Sequence, residues 1–313
     1  MRICRYVSQV DQATAIDFLR ERFGASARIT VMRPGEWSAA YSVRTDDADL
    51  VARLSAYDED FEKDAHAARY SSRALPIPAI LEWGPAGDGF YAVSERMPGS
   101  HIDVLDEAGM RRVLPSLLAA LDAMRAIDLS GASGFGDWRA DGSVSHPTWR
   151  AWLLGIATAP ATRGAGQPRE LLEGSPTGVG PFEEGYTRLL ELIEHCPEER
   201  HLIHDDLVNF NVLVAGDRIS AVLDWGSSKY GDFLYDVAKL VFYQPWRAEG
   251  SIDFAAEARA HYDRIGLTVP SLAERLACYY IQIGLADMAY SAFRKRWDQV
   301  AAKARRTLEF ARA

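Results

Sequence analysis

The 313-residue sequence lacks the features that mark several common classes of protein. Its three cysteines, Cys4, Cys196 and Cys278, are far apart and include no C-x-x-C pair, so they indicate neither a zinc site nor a disulfide framework. No apolar run approaches membrane-spanning length, and the first residues lack the apolar core of a secretory signal. We therefore expect a cytoplasmic protein with reduced thiols.

The sequence also has fewer basic than acidic residues. Lys and Arg number 35 against 44 Asp and Glu, which gives a formal net charge of −9. An acidic protein is poorly suited to bind nucleic acid and better suited to attract a cationic ligand. The apolar content of 48% is that of an ordinary globular chain, long enough for one two-lobed unit or two small domains. We expect a monomer with neither nucleic acid nor membrane as a partner.

The most informative segment is HLIHDDLVNFNVLVAGDRISAVLDWG, residues 201–226. His204, Asp206 and Asn211 have the spacing of the kinase catalytic loop, H-x-D-x-x-x-x-N, and a predicted hairpin then ends at Asp224. In phosphoryl transfer, a carboxylate orients the attacking hydroxyl, while an amide oxygen and a second carboxylate hold Mg²⁺. We predict that Asp206 is catalytic, that His204 orders the loop, and that Asn211 and Asp224 are metal ligands.

Each of these residues alone also fits a loop or a capping role. Their order, with a loop, a hairpin and a closing aspartate, favours the catalytic interpretation.

Longer segments resemble the aminoglycoside phosphotransferases, including the branch that acts on hygromycin B. The matching segments are ALPIPAILEWG (74–84), DLSGASGFG (128–136), TWRAWL (148–153), CPEERHLIHDDLVNFNVL (196–213), ISAVLDW (219–225) and YGDFLYDVAKLVFYQPW (230–246). The family usually has glycine where this chain has Asp205. That difference changes the charge of the loop but removes no catalytic group.

The resemblance implies an α+β, protein-kinase-like fold with two lobes. Residues 1–97 would form a small lobe with an antiparallel sheet, and residues 98–313 a larger, mainly helical lobe. The cleft between them would bind ATP or GTP with Mg²⁺. The implied activity is phosphorylation of a hydroxyl group of an aminoglycoside antibiotic such as hygromycin B, which confers resistance.

Residues 28–56 read as three strands joined by turns. In the first turn, PGEWS, Ser38 is a candidate donor to a phosphate oxygen. Arg53, on the third strand, lies where kinases have a lysine that pairs with the phosphates. Its acidic partner stays open between Glu62 and Asp64, because Lys63 falls where the family has its glutamate. Lys63 itself is a candidate for binding the phosphates.

The segment SERMPG follows a predicted buried strand and would connect the lobes. By resemblance, backbone groups of Ser94 and Arg96 would hold the nucleotide base.

The remaining sequence is mostly helical in pattern, with an interruption expected near Pro115. Residues 131–167 are rich in Gly, Ser, Pro and Trp and are expected to form an ordered insertion on the substrate side. The resemblance divides two roles between Asp232 and Asp236, anchoring the metal-binding segment and recognising a cationic sugar. We assign Asp236, Trp246 and Asp287 to the acceptor.

Besides a purely structural helical protein in which the motifs occur by chance, two alternatives remain open at this stage. The first is a kinase of another small molecule, such as a macrolide, an amino alcohol or a sugar. The second is a catalytically silent kinase-like binding protein, although Asp206, Asn211 and Asp224 are all present.

Overall fold

The computed structural model describes residues 11–33, 35–158, 166–247 and 252–313. The chain divides into two compact units. The first comprises Met1–Ile102, Arg139–Asp141 and Phe210–Ser227, and the second comprises Asp103–Trp138, Gly142–Asn209 and Ser228–Ala313. The chain thus returns to the first unit after residue 209, which a single boundary does not capture. The division at residues 97 and 98 stays a prediction.

The first unit contains a five-stranded antiparallel sheet preceded by helix α1, Gln12–Phe23. Its strands are β1 (Arg28–Val31), β2 (Ser38–Arg44), β3 (Asp49–Ser55), β4 (Ile80–Ala86) and β5 (Gly89–Glu95), in the order β1-β2-β3-β5-β4. Apolar side chains of α1, β2, β3 and β5 form one core, which includes Leu19, Tyr41, Val43, Leu54 and Val93. Helix α2, Glu59–Ala67, follows β3. The three strands expected in residues 28–56 are therefore present.

A second sheet in the first unit joins β6 (Ser100–His101), β10 (Val212–Ala215) and β11 (Arg218–Val222) in the order β11-β10-β6. Ser220 Oγ donates to the Pro98 carbonyl at 2.6 Å, and the Val222 N–H donates to the Pro76 carbonyl at 2.8 Å. Gly99 has φ +121°, and a Cβ there would lie 2.4 Å from the Val214 carbonyl oxygen. These contacts explain why the hairpin of residues 212–222 belongs to the first unit.

The second unit is mainly helical. Its helices are α3 (Glu107–Arg125), α4 (Trp149–Gly155), α5 (Pro168–Glu173), α6 (Gly180–Leu192), α7 (Leu234–Tyr243), α8 (Phe254–Ile265), α9 (Leu272–Phe293) and α10 (Trp297–Ala311). The interruption expected near Pro115 is wrong, since α3 continues through this residue. Buried side chains on both sides of it, Val113, Leu114, Leu117 and Leu118, hold the helix against the core. That packing offsets the lost backbone hydrogen bond.

A four-stranded sheet completes the second unit. It contains β7 (Phe135–Trp138), β8 (Val144–His146), β9 (His201–Ile203) and β12 (Lys229–Gly231) in the order β8-β7-β12-β9. After β12, the fully buried Asp232 receives two hydrogen bonds from Arg275, at 2.8 and 2.6 Å, and one from the Leu234 N–H. Asp232 therefore caps α7 and ties it to α9, while its anchoring of the metal-binding segment stays a prediction.

Part of the insertion expected at residues 131–167 forms β7, β8 and α4, while residues 159–165 lie outside the described part. The first residues of the helix expected at 8–23 lie outside it too. Within the described ranges, no helix is both long and apolar enough to cross a membrane.

Candidate active site

The two predicted metal ligands lie at the end of the β10–β11 hairpin in the first unit. The Leu223 N–H donates to the Asn211 carbonyl at 2.8 Å, so Asn211 and Asp224 end neighbouring strands. Asn211 is 9% exposed. Asp224 has φ +60°, which turns the chain out of the strand direction at the site. The hairpin thus brings these two oxygen-bearing residues to one end of the sheet.

Arg53 pairs with Asp64 of helix α2, which settles the choice between Glu62 and Asp64. The second carboxylate oxygen, Asp64 Oδ1, accepts the Trp225 N–H at 2.7 Å. Burial opposes the charge on Arg53, but the carboxylates of Asp64 and Asp224 raise its pKa above the ordinary value. One buried aspartate therefore links the cation of β3 to the backbone that directly follows Asp224.

Lys63, the neighbour of Asp64, is 7% exposed and donates from Nζ to the Gly226 carbonyl at 3.0 Å. Gly226 leaves room for helix α2, since a Cβ there would lie 2.6 Å from Asp60 Oδ1. Lys63 was a candidate for binding phosphates. In the structure its ammonium holds the Asp224 segment instead, which is a positioning role.

The residues whose backbone was assigned to the nucleotide base lie in β5, for Ser94, and directly after it, for Arg96. The Arg96 N–H donates to the Asp49 carbonyl at 3.2 Å, and its side chain donates to Ser42 Oγ at 2.5 Å. Ser94 is paired in register with Val51 on β3 and with Ile80 on β4. The Arg96 N–H therefore has a partner within the first unit, and the assignment of backbone groups of Ser94 and Arg96 to the nucleotide base stays a prediction. The sheet extends further along this segment than the sequence indicated.

Ser38 is the first residue of β2, and its carbonyl accepts the Gly35 N–H at 3.0 Å. This bond closes the turn in which a phosphate contact was expected. The role of the Ser38 hydroxyl stays a prediction.

The predicted catalytic loop lies in the second unit, after β9. His204 is fully buried, and its Nδ1 accepts the Asp206 N–H at 3.2 Å. Asn209 Nδ2 donates to Asp206 Oδ1 at 2.7 Å. These contacts fix the backbone and the carboxylate of Asp206, which is half-buried. They support the expectation that His204 orders the loop.

Asp236 holds this loop from helix α7. Its Oδ2 accepts the His204 N–H at 2.9 Å, and its Oδ1 accepts the Asp205 N–H at 2.8 Å. Burial raises the pKa of Asp236 to about 7, although the two backbone hydrogen bonds favour the ionised form. At 2% exposed, Asp236 is not available to an acceptor molecule. The prediction that it binds substrate is wrong, and it is a positioning residue.

Asp205 forms a buried ion-pair network that sequence reasoning missed. It pairs with Lys229 of β12 and, at 2.9 Å, with Lys239 of α7. These ammonium groups outweigh burial and hold the pKa of Asp205 below its usual range. With φ +66°, Asp205 adopts a conformation that favours glycine, which is the residue the family usually has there. The two lysines stabilise an aspartate in this unfavourable conformation.

Asp287 and Trp246, the other two predicted acceptor residues, meet around Lys303 of helix α10. Lys303 Nζ lies 3.2 Å from Asp287 Oδ2 and 3.9 Å from the centroid of the Trp246 ring. Tyr243 donates from its hydroxyl to Asp287 Oδ2 at 2.5 Å. Trp225 is 1% exposed and belongs to the core. Sequence reasoning had no signal for Lys303.

The donor set fits a hard cation such as Mg²⁺ better than a softer metal. Among the residues that the structure describes, no group of three or more His, Cys, Asp or Glu side chains is arranged to hold a metal ion. Mg²⁺ sites in phosphotransferases commonly use one or two protein oxygens together with substrate phosphates. Asn211 and Asp224 provide such a pair of oxygens.

The fold and these side chains define a kinase-like phosphotransferase, with an aspartate in the predicted catalytic loop, a hairpin that ends in a predicted metal ligand, and a basic residue of β3 paired with an aspartate of helix α2. Residues 30–274 match the model of the phosphotransferase enzyme family. The chain belongs to this family of aminoglycoside phosphotransferases.

A curated relative is hygromycin-B 4-O-kinase of Escherichia coli, which is 31% identical over 92% of this chain and 82% of its own length. A solved structure of aminoglycoside phosphotransferase APH(4)-Ia has a TM-score of 0.83, with 30% identity over 96% of this chain and 98% of that one. A thermostable mutant of that enzyme, in ternary complex with AMP-PNP and hygromycin B, has a TM-score of 0.82 and 32% identity, covering 95% and 97%. The predicted α+β, protein-kinase-like fold is confirmed.

Proposed function

We propose that this protein transfers the γ-phosphoryl group of ATP or GTP to a hydroxyl group of an aminoglycoside of the hygromycin B type, and so confers resistance to it. The proposal rests on two aspartates, Asp206 and Asp224, whose surroundings fix their positions. Asp206 is fixed by His204 and Asn209, and Asp224 is followed by backbone that Asp64 and Lys63 hold. Similarity to an enzyme named for hygromycin B supports the choice of acceptor.

In the proposed reaction, Asp206 orients the acceptor hydroxyl and takes its proton as the oxygen attacks the γ-phosphorus. The bond from that phosphorus to the bridging oxygen breaks, and the nucleoside diphosphate leaves. Asn211 and Asp224 would hold Mg²⁺, which would neutralise charge on the phosphates. Arg53 supplies a permanent cation beside Asp224. Positioning and charge neutralisation therefore account for most of the catalysis.

Nucleoside triphosphates are supplied in the cytoplasm, where we expect the enzyme to act as a monomer. Hygromycin B carries amino groups, and the acidic balance of the chain favours binding of such a cation.

The test is mass spectrometry of hygromycin B and other aminoglycosides after incubation with the purified protein, Mg²⁺ and either ATP or GTP. We expect a product that carries one added phosphate, and fragmentation will locate the modified hydroxyl. A macrolide, an amino alcohol and a neutral sugar serve as competing acceptors. Phosphorylation of one of these alone would contradict the aminoglycoside assignment but keep the reaction. No transfer to any acceptor, from a folded protein that binds nucleotide, would favour the silent binding protein.

A further inference from the structure

Lysine is rare in this chain, and four of its five lysines are buried or half-buried. The five are Lys63, Lys229, Lys239, Lys295 and Lys303. Only Lys295 is exposed. The side chain of Lys303 is just 12% exposed, and burial lowers its pKa. A buried ammonium group needs compensation, so the surroundings of Lys303 show what kind of site it occupies.

Two aromatic rings and a carboxylate surround the Lys303 ammonium. Its Nζ lies 4.0 Å from the centroid of the Tyr243 ring, 3.9 Å from that of Trp246 and 3.2 Å from Asp287 Oδ2. We call Tyr243, Trp246 and Asp287 the ammonium box. Aromatic faces with a carboxylate are the groups with which proteins bind ammonium ligands. Trp246 is 46% exposed, so this wall of the box lies at the protein surface.

The ammonium box continues from the catalytic loop through helix α7. Lys239 lies one turn before Tyr243, with its Nζ 5.8 Å from the centroid of the Tyr243 ring. The same Nζ lies 2.9 Å from Asp205 Oδ1, and Asp205 directly precedes Asp206. This chain of contacts stays within the second unit. Burial raises the pKa of the Tyr243 hydroxyl, and the charges of Asp287 and Asp206 add to this effect, so the box lies near Asp206.

We propose that Lys303 determines acceptor specificity by filling the ammonium box, so that an amino group of the acceptor is excluded there and a hydroxyl or other neutral group is favoured. The inference rests on the proposed phosphotransferase function and adds to it the charge pattern of the preferred acceptor. An aminoglycoside with an ammonium group at this position competes with the ammonium of Lys303. An acceptor with a hydroxyl there receives a hydrogen bond from it.

The experiment removes the competing charge from the box with Lys303→Met, which keeps the length and apolar character of the side chain. Binding of hygromycin B, and of the amine-bearing ring 2-deoxystreptamine, is measured by titration calorimetry without nucleotide. We expect Lys303→Met to bind the amine ligands about tenfold more tightly, since a desolvated cation–π contact contributes roughly this much. Lys303→Arg keeps the cation and should retain wild-type affinity.

Two controls separate the box from a general change in charge. Lys295→Met removes the same charge from an exposed position and should leave amine affinity unchanged. Trp246→Ala removes one wall of the box. The double variant with Lys303→Met should therefore bind the amine ligands no more tightly than Trp246→Ala alone. Unchanged or weaker amine binding by a folded Lys303→Met protein would overturn the proposal. If that variant does not fold, Lys303→Gln takes its place, with the same criterion.

This experiment and the mass-spectrometric test of function fail in different ways. Calorimetry without nucleotide reports on the ammonium box even if no aminoglycoside is phosphorylated. Conversely, a wild-type protein that phosphorylates hygromycin B, with no gain in amine affinity for Lys303→Met, keeps the proposed function and removes only the role of Lys303.

Discussion

In each of the two units, a buried aspartate accepts backbone hydrogen bonds beside an aspartate with a predicted function. In the first unit, buried Asp64 on helix α2 accepts the N–H that follows Asp224. In the second, buried Asp236 on helix α7 accepts the two N–H groups that precede Asp206. In both units, the buried aspartate has no proposed chemical role. It fixes the backbone beside the aspartate, Asp224 or Asp206, for which we propose one.

The two buried aspartates, Asp64 and Asp236, differ in how their negative charge is balanced. Asp64 is paired directly with the guanidinium of Arg53. Asp236 lies beside the negative Asp205, and burial raises its pKa to about 7. The lysines of this region, Lys229 and Lys239, pair with Asp205 instead. The comparison indicates that the loop around Asp206 responds to pH near neutrality, whereas the segment around Asp224 depends on an ion pair.

The largest effect on activity is expected from Asp206→Ala. Loss of the group that orients and deprotonates the hydroxyl should lower the rate of phosphate transfer by about a thousandfold, while the fold is kept. Asn209→Ala removes only the exposed partner of Asp206 and should cause a much smaller drop. Rates come from a coupled assay of nucleoside diphosphate release with hygromycin B. Activity retained by Asp206→Ala would remove this residue from the mechanism.

The largest effect on stability is expected from Asp64→Ala. It leaves Arg53 as a buried cation without its carboxylate, which typically costs about 3–5 kcal/mol. Urea unfolding measures this loss. Arg44→Ala breaks the exposed pair with Asp49 and should cost less than about 1 kcal/mol. Equal losses in the two variants would show that the Asp64 link does not hold the first unit together.

Asp236→Asn tests whether the stability that Asp236 contributes depends on pH. The pKa of Asp236 is higher in the folded state than in the unfolded state, so its stabilisation is complete below about pH 4 and is lost as the pH rises towards 7. Between these values the wild type should lose roughly 1.4 kcal/mol per pH unit relative to Asp236→Asn, whose side chain does not titrate. The free energy of unfolding of both proteins is measured from pH 5 to pH 8. Parallel pH profiles would contradict the shifted pKa.

Asp236→Asn should also lower turnover. An amide has one acceptor oxygen, so only one of the His204 and Asp205 N–H groups keeps its partner.

The smallest effect is expected from Lys63→Met. It removes one hydrogen bond to the Gly226 carbonyl and should cost about 1 kcal/mol. Because Lys63 positions the Asp224 segment and does not contact phosphates in this account, the ratio of ATP to AMP affinity should change little. Fluorescence titration with both nucleotides measures that ratio. A selective loss of ATP affinity would restore the phosphate-binding role first considered for Lys63.

The sequence predicted the parts of the site that depend on order along the chain. The spacing of His204, Asp206 and Asn211 and the hairpin ending at Asp224 are local patterns, and the structure contains the corresponding loop and strands. The strands of residues 28–56 followed from alternating apolar residues and clear turns. These features need no knowledge of distant contacts.

The parts that failed depend on contacts between distant residues. Helix α7 is buried on nearly all sides, so its periodicity could not show that Asp236 faces the loop backbone. On α2, the spacing left Glu62 and Asp64 open as partners, and only the fold shows that the buried Asp64 meets Arg53. The Arg96 N–H donates to the Asp49 carbonyl, which is 47 positions earlier in the chain. The sequence alone could not show this contact.

The most direct test of the central claim is Mg²⁺-dependent nucleotide binding by Asp224→Ala and Asp206→Ala, measured by titration calorimetry with and without Mg²⁺. The account predicts that Asp224→Ala loses the gain in ATP affinity that Mg²⁺ provides, while Asp206→Ala keeps it and loses only transfer to the acceptor. Undiminished Mg²⁺-dependent binding by a folded Asp224→Ala protein would contradict the division of roles between the two aspartates.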